Sequence, residues 1–308
     1  MKLSVLDQST AAKGRTQDCS IRETLAYAKR CDELGYHRYW VSEHHNSGNI
    51  VGTAPEVLLA AIGATTQRIR IGSAGVMLPH YSAYKVAEQF RVIESIAPGR
   101  VDLGVGRAPG SDRLTSMALN PHPDDVHDQF PRQIQEMQCW LSGTPLPDGH
   151  PFQRVVAHPT GPTFPTMWVL GSSDYGAQLA AHLGLPYAFA YFFMDGAGVE
   201  QALHLYRTLY RPSARHPQPQ ATICVWALVA DTDEHAQHLA LSRDRWRADR
   251  MRGVFGPLRS PDEVAHGGFT ADEAQATARS RRKAFVGSPS TVAARLRDRK
   301  STRLNSSY

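Results

Sequence analysis

The stretches Ile69-Arg70-Ile71-Gly72-Ser73-Ala74, Lys85-Val86-Ala87-Glu88-Gln89-Phe90 and Val101-Asp102-Leu103-Gly104-Val105 read in turn as strand, helix and strand. The first and last are short, β-branched and apolar. Between them Val86, Phe90 and Ile93 recur at helical spacing until Ala97-Pro98-Gly99 stops the helix. A strand, an amphipathic helix and a second strand predict a parallel pair with a crossover.

The same rhythm extends in both directions. Upstream, Leu3–Leu6 is a brief strand, and Ile21, Leu25, Ala28 and Leu34 mark a helix ended by Gly35. Arg38–Ser42 is the next strand. Thr53-Ala54-Pro55-Glu56 predicts a capping box with an early proline, opening a helix through Thr66. Between about 107 and 165 the rhythm breaks into a stretch rich in Pro, His, Gly and Asp, with one helical island at 128–141. Insertions of this kind build lids and pockets on regular α/β chains. Strands at 166–170, 187–190 and 221–230 then alternate with helices at 176–183, 198–210 and 234–251. A second irregular insertion at 252–268 precedes helices at 271–284 and 289–299. Seven strand–helix units without a sharp linker favour a (β/α) barrel over a doubly wound sheet.

The chain has 308 residues, 42% hydrophobic and 20% charged, enough for one large domain with a real core. No run approaches the roughly 18 apolar residues of a spanning helix, and the first six residues are too short for a leader. The four cysteines, Cys19, Cys31, Cys139 and Cys224, are scattered without a CxxC pair, so a reducing cytoplasm is expected. The net charge of +5 does not imply nucleic acid. The excess sits late, at Arg279, Arg281, Arg282, Lys283, Arg295, Arg297, Arg299, Lys300 and Arg303, without interleaved aromatics, and reads as a solvated helical face.

Four motifs fall at strand exits. Glu43-His44-His45-Asn46 follows the second strand, where barrels keep reactive groups, and a histidine there can act as acid or base. Loop histidines bonded to backbone are the plain alternative. A metal is not expected, because adjacent histidines point apart and no flanking carboxylate completes a site. His235 and His238 read as a surface pair. Gly104-Val105-Gly106-Arg107-Ala108-Pro109-Gly110 mimics a dinucleotide fingerprint, but Pro109 stands at the third glycine and no helix follows. What remains is a glycine-rich exit whose Arg107 can hold a phosphate, or a simple turn. Gly171-Ser172-Ser173-Asp174-Tyr175-Gly176 opens a helix and is an anion site or a serine cap. Gly72 to Pro79 leaves room for a flat ring at a strand end, or marks a bulge.

In this order, these segments resemble the bacterial luciferase-like family of flavin-dependent monooxygenases, in its single-chain subgroup. The carriers are Tyr39 to Asn46, Gly72 to Pro79, Lys85 to Phe90, Pro98 to Gly110, and Leu170 to Ser173 with Leu183 to Ala190. The resemblance spans residues 3 to about 295. It implies a TIM-like (β/α)8 barrel binding FMN at the C-terminal ends of its strands. Carried over by position, His44 is the catalytic acid/base. Arg107, Ser172, Ser173 and Gly176 hold the phosphate, and Ala74-Gly75 is a strand end that can carry a non-prolyl cis bond beside the flavin ring. Gly106 stands where luciferases have a reactive cysteine, so no thiol chemistry is carried over. Tyr175-Gly176-Ala177 replaces the subgroup's usual Ser-Ala, at the expense of one hydroxyl.

The function implied is oxygenation of a small organic substrate by O2 and reduced FMN, the latter supplied by a separate flavin reductase. Deazaflavin-dependent hydride transfer on the same barrel and a non-catalytic FMN-binding protein are the alternatives. A sugar-phosphate isomerase or aldolase lacks its lysine or paired carboxylates at strand ends. Tyr81, Tyr84, Tyr191, Phe192 and Phe193 would wall an apolar pocket. A homodimer is compatible with the reading, and neither nucleic acid nor membrane is expected as partner. A single domain over 1–299 is expected, with residues 300–308 as a tail foreign to the family. Phe285–Pro289 and Val292–Leu296 read as the approach to a last repeat whose strand and helix are missing, leaving the first and seventh strands as open edges.

Overall fold

The computed structural model describes residues 1–121 and 126–303. Strands β1 (Ser4–Asp7), β2 (Arg38–Val41), β3 (Arg70–Met77) and β4 (Val101–Gly106) alternate with helices α1 (Gln17–Glu33), α2 (Pro55–Thr65) and α3 (Ala83–Ile96). The first insertion carries α4 (Arg113–Leu119) and α5 (Val126–Ser142). Then follow β5 (Thr166–Gly171), α6 (Asp174–His182), β6 (Tyr187–Phe189), α7 (Val199–Thr208), β7 (Ala221–Ile223) and β8 (Ala227–Val229). The chain continues through α8 (Asp233–Leu239), α9 (Leu241–Met251), α10 (Pro261–Gly267), α11 (Ala271–Lys283), β9 (Phe285–Gly287) and α12 (Pro289–Arg303).

β1 to β7 pair in sequence order, every ladder parallel. The curled seven-stranded sheet with helices outside it is the TIM-barrel-like α/β architecture expected. Strands covered on both faces need continuous apolar runs rather than alternation, and β4 is buried over Val101–Val105. The main core lies between sheet and helices, with Tyr39, Leu59, Ile71, Phe90, Leu103, Val169 and Phe189 in it. A smaller cluster of Trp40, Trp168 and Ala188, with Leu6, Ala74 and Leu170 against it, draws on β1, β2, β3, β5 and β6. It fills the inside of the curl.

At the N-terminal end of the sheet one buried carboxylate gathers three strands. Asp102 accepts from Arg38 Nε at 2.9 Å, from Arg70 Nη2 at 2.7 Å and from the Trp40 indole at 3.1 Å. This explains Gly72. A Cβ there would stand 2.8 Å from both Asp102 Cβ and Trp40 Nε1. Gly104 is equally constrained, since its Cβ would fall onto the Ser73 carbonyl. These glycines are small for the packing of the barrel itself. The room for a ring that the sequence suggested along Gly72 to Pro79 is not there at Gly72. The bulge alternative is present, as a register shift between β3 and β4 at Ala74/Val76.

Other expectations are corrected. α2 starts without a capping box: its N-cap is Ala54 rather than Thr53, and alanine has no side-chain acceptor for the free N–H groups of the first turn. A true box caps α11, between Thr270 and Glu273. The strand expected at 221–230 is two. β7 stays with β6, Cys224 continues that edge through bonds to Phe189 and Phe192, and β8 turns away to pair with β9. The helix expected at 234–251 breaks at Ala240, and the second insertion contains α10, capped by Ser260. The segment read as the approach to a last repeat forms strand β9 and helix α12 apart from the main sheet, which has the seven strands expected. Among the described residues no ladder bond joins β9 to β1. Residues 122–125 of the first insertion and 304–308 of the expected tail lie outside the described residues. No described helix is long and apolar enough to cross a membrane.

Candidate functional site

Parallel strands deliver their C-terminal ends to one side of a sheet, and the predicted residues emerge there from neighbouring strands. His44 follows β2, Ala74-Gly75 lies in β3, Arg107 follows β4, and Ser172 and Ser173 link β5 to α6.

The β2 exit is built around Glu43, a fully buried carboxylate. It accepts hydrogen bonds from the Met77 backbone N–H at 3.0 Å, the Tyr81 hydroxyl at 2.6 Å and His45 Nε2 at 2.6 Å. Those donors come from the end of β3, the turn after it and the β2 loop itself. A buried carboxylate is stable only when so satisfied. His45 meets the His80 ring edge-on at 5.9 Å, and His80 Nε2 donates to the Pro109 carbonyl at 2.7 Å. Asn46, in the left-handed region at φ 50°, donates to Asp112 at 3.3 Å and Thr115 at 3.1 Å, at the start of α4. The exits of β2, β3 and β4 and the first insertion are thus tied together beside His44.

His44 itself is held by its backbone N–H on the Gly52 carbonyl at 3.1 Å. Its Nδ1 is buried with no partner among the described residues. Burial, reinforced by the Arg250 charge, pushes the imidazole down to about 4. The ring is therefore neutral near neutral pH. It can accept or donate a hydrogen bond there, but it carries no proton to give as imidazolium.

In β3, the Ala74–Gly75 peptide is cis. Ala74 belongs to the interior cluster with Trp40 and Trp168, and a Cβ on Gly75 would strike Leu170.

Arg107 is exposed at the β4 exit and stacks over the Tyr175 ring, guanidinium carbon to centroid 3.9 Å. Tyr175 lies in the first turn of α6, so Arg107 is brought to that helix N-terminus. Ser173 is the N-cap, yet its hydroxyl makes no capping bond, which removes the plain serine-cap alternative. Gly176 packs close, its absent Cβ 3.5 Å from Gly171 Cα. The unusual Tyr175 thus supplies a platform for the arginine in place of a hydroxyl. A guanidinium with no carboxylate partner and serine hydroxyls with no hydrogen bond among the described residues, at the positive end of a helix, suit a phosphate. The buried His44 Nδ1 and Ser42 hydroxyl, both without a hydrogen-bond partner among the described residues, suit a polar ring system at the β2 exit.

The expected aromatic wall is mostly elsewhere. Tyr81 is bound to Glu43. Tyr84 packs on Trp140 of α5 at 5.3 Å and donates to Val156. Tyr191 belongs to the main core, Phe193 is exposed, and Phe192 faces Trp226 at 6.0 Å. His238 pairs with Asp262 at the surface, and no group of metal-ligating residues occurs among the described residues. Two contributors escaped the sequence reading. Glu43 is a flanking carboxylate where none was expected beside the histidines, and it binds His45 rather than completing a metal site; a carboxylate beside two histidines at a strand end is a usable signal. Arg250 carries no local signal, being one of several arginines on α9.

The family profile for luciferase-like monooxygenases matches residues 1–306. A luciferase-like monooxygenase of Escherichia coli K12 is 42% identical over 258 residues, 84% of this chain and 75% of that protein. An N-acetyl-S-alkylcysteine monooxygenase of Bacillus subtilis is 39% identical over 244 residues, 79% of this chain and 72% of its own. Among solved structures, apo-MsnO8 superposes with a TM-score of 0.86 at 33% identity, covering 97% of this chain and 88% of that one. More distant structures share the fold at 17% identity. They include the oxygenating constituent of a Pseudomonas putida diketocamphane monooxygenase in complex with FMN, and an F420-dependent secondary alcohol dehydrogenase. Their TM-scores are 0.69 and 0.64.

Proposed function

The chain belongs to the luciferase-like monooxygenase family, and from that premise we propose an FMN-dependent enzyme that oxygenates a small organic substrate with O2. The observation that carries the choice of FMN is the Arg107–Tyr175 stack at the N-terminus of α6, a cationic place for a terminal phosphate on the same sheet edge as His44. When bound, reduced FMN supplies the electrons that activate O2.

The protein's own share is placement and exclusion. Arg107 holds phosphate oxygens through its fork, kept in orientation by Tyr175, while Ser172, Ser173 and the Gly176 N–H complete the cradle. Ala74-Gly75 offers its backbone to the ring face. His44, neutral and with Nδ1 free, positions a polar group of cofactor or substrate and accepts a proton from it. Glu43 keeps the β2 and β3 exits in place around that ring. The first insertion, fastened through Asn46 to Asp112 and Thr115, keeps water from the reacting atoms. Reduced FMN arrives from a partner reductase.

The test is titration of the whole chain with FMN and, separately, with coenzyme F420, followed by flavin fluorescence and absorbance. Saturable binding of FMN that is lost in Arg107→Gln, with substrate-independent O2 uptake from reduced FMN that changes in His44→Ala, supports the assignment. Binding of F420 alone overturns it.

A further inference from the structure

Arginines crowd the open end of the barrel after β8. Arg243, Arg245, Arg247, Arg252 and Arg259 each have a carboxylate partner, at 2.6–3.6 Å. Arg250 sits among them on α9 and has none among the described residues. Its guanidinium lies instead against two aromatic rings, Trp246 at 4.9 Å and Phe255 at 5.4 Å. A half-buried cation in aromatic surroundings normally has a counter-charge, because removing it from water is costly. Where the protein withholds that charge and supplies it to every neighbour, a ligand is the natural source.

The position of Arg250 gives the ligand its address. Phe255 rests on the β2 exit loop: a Cβ on Gly48 would stand 3.0 Å from the Phe255 carbonyl, and Gly48 is four residues past His44. The Arg250 charge is felt at the His44 ring. α9 is itself moored to the β6 exit, where Arg247 donates to the Phe192 carbonyl and pairs with Asp195 at 2.8 Å. Trp246 adds a buried indole N–H with no hydrogen-bond partner among the described residues. Arg250 and Arg107 are therefore two cations without a carboxylate among the described residues, and their surroundings differ: Arg107 lies over Tyr175 in the first turn of α6, Arg250 against Trp246 and Phe255.

We propose that Arg250 receives an anionic head group of carboxylate type on the substrate, with Trp246 and Phe255 as apolar walls and the body of the molecule beside His44. The word substrate rests on the oxygenation reading above; the anion preference does not. A guanidinium suits a carboxylate because its fork matches both oxygens.

The experiment uses the full chain and two matched pairs of probes, hexanoate with hexanamide and phenylacetate with phenylacetamide, measured by calorimetry. A charge-assisted contact of this kind is expected to favour the acid roughly tenfold or more over its amide. In Arg250→Gln the preference collapses to near unity, and in Arg250→Lys part of it survives, with melting temperatures confirming that each variant is folded. FMN affinity stays unchanged in both. Acids no tighter than their amides in the wild type, or a preference that survives Arg250→Gln, overturn the proposal. Loss of FMN affinity in Arg250→Gln overturns it too, by assigning Arg250 to the cofactor. If the wild type binds the acids but no FMN, the cofactor reading fails and the anion site stands.

Discussion

The guanidinium of Arg107 lies 3.9 Å above the ring of Tyr175, joining the β4 exit to the first turn of α6. The contact spans two motifs that looked weak separately. On the proposed reading the tyrosine supports the arginine rather than touching the cofactor. Arg107→Gln is expected to weaken FMN binding about tenfold or more, and Tyr175→Ala by a few-fold, since an exposed cation–π contact contributes roughly 0.5–1 kcal/mol. Fluorescence titration decides. Equal losses in the two variants would show that the ring contacts the cofactor directly.

His44 titrates near 4 rather than at its ordinary 6.5. Between those values the unfolded chain binds a proton that the folded chain does not. Stability is therefore full above about pH 6.5 and falls as the pH is lowered toward 4, by roughly 3 kcal/mol from this ring. Arg250, Glu43 and His45 act on the same proton, with burial dominant. In ring NMR the His44 midpoint should lie near 4 and move upward in Arg250→Gln. His44→Gln should flatten the pH dependence of the melting temperature over that window. A midpoint near 6.5 refutes the buried, neutral ring.

Glu43→Gln keeps the shape of the side chain but turns two acceptors into one acceptor and one donor, facing three donors. Leaving buried donors unmatched costs about 1–3 kcal/mol each, so a fall in melting temperature of several degrees is expected. The loss should reach the site: hydrogen exchange at Met77 and through the 78–81 turn should speed up while β5 and β6 stay protected. Unchanged protection there would mean that Glu43 does not tie the exits.

Gly72→Ala and Gly171→Ala form a contrast. The first forces a methyl to 2.5 Å from the Asp102 carbonyl oxygen and 2.8 Å from the Trp40 indole nitrogen, whereas the second meets ordinary contacts from 3.5 Å outward. Overpacking of the first kind costs about 1–3 kcal/mol, and urea denaturation should show it for Gly72 alone. A similar cost at Gly171 would count against the packing explanation.

The parallel architecture was legible because periodicity and strand composition are local: β2, β3 and β4 lie within a few residues of where Arg38–Ser42, Ile69–Ala74 and Val101–Val105 placed them. The site residues were legible as strand exits for the same reason, and the resemblance supplied their roles. What stayed hidden depends on three-dimensional partners. The break between β7 and β8 lies inside one continuous apolar run, and only the competing edges of β6 and β9 divide it. Arg250 differs from Arg247 in nothing the sequence displays, only in lacking an Asp195. Gly72 looked like space for a ligand, when Trp40 already uses that space on its way to Asp102.

That reach across Gly72 has a further consequence. Arg38 and Arg70 are register partners of β2 and β3, and Asp102 is paired with Gly72 across β3 and β4, so the ion cluster checks the alignment of all three strands at once. A slip of one residue would turn one of these charged groups to the other face of the sheet, a fault that no apolar run could report so sharply. The alignment is set at the floor of the barrel and transmitted along stiff strands to its mouth. The spacing of His44, Ala74-Gly75 and Arg107 is in that sense calibrated from the opposite end of the molecule.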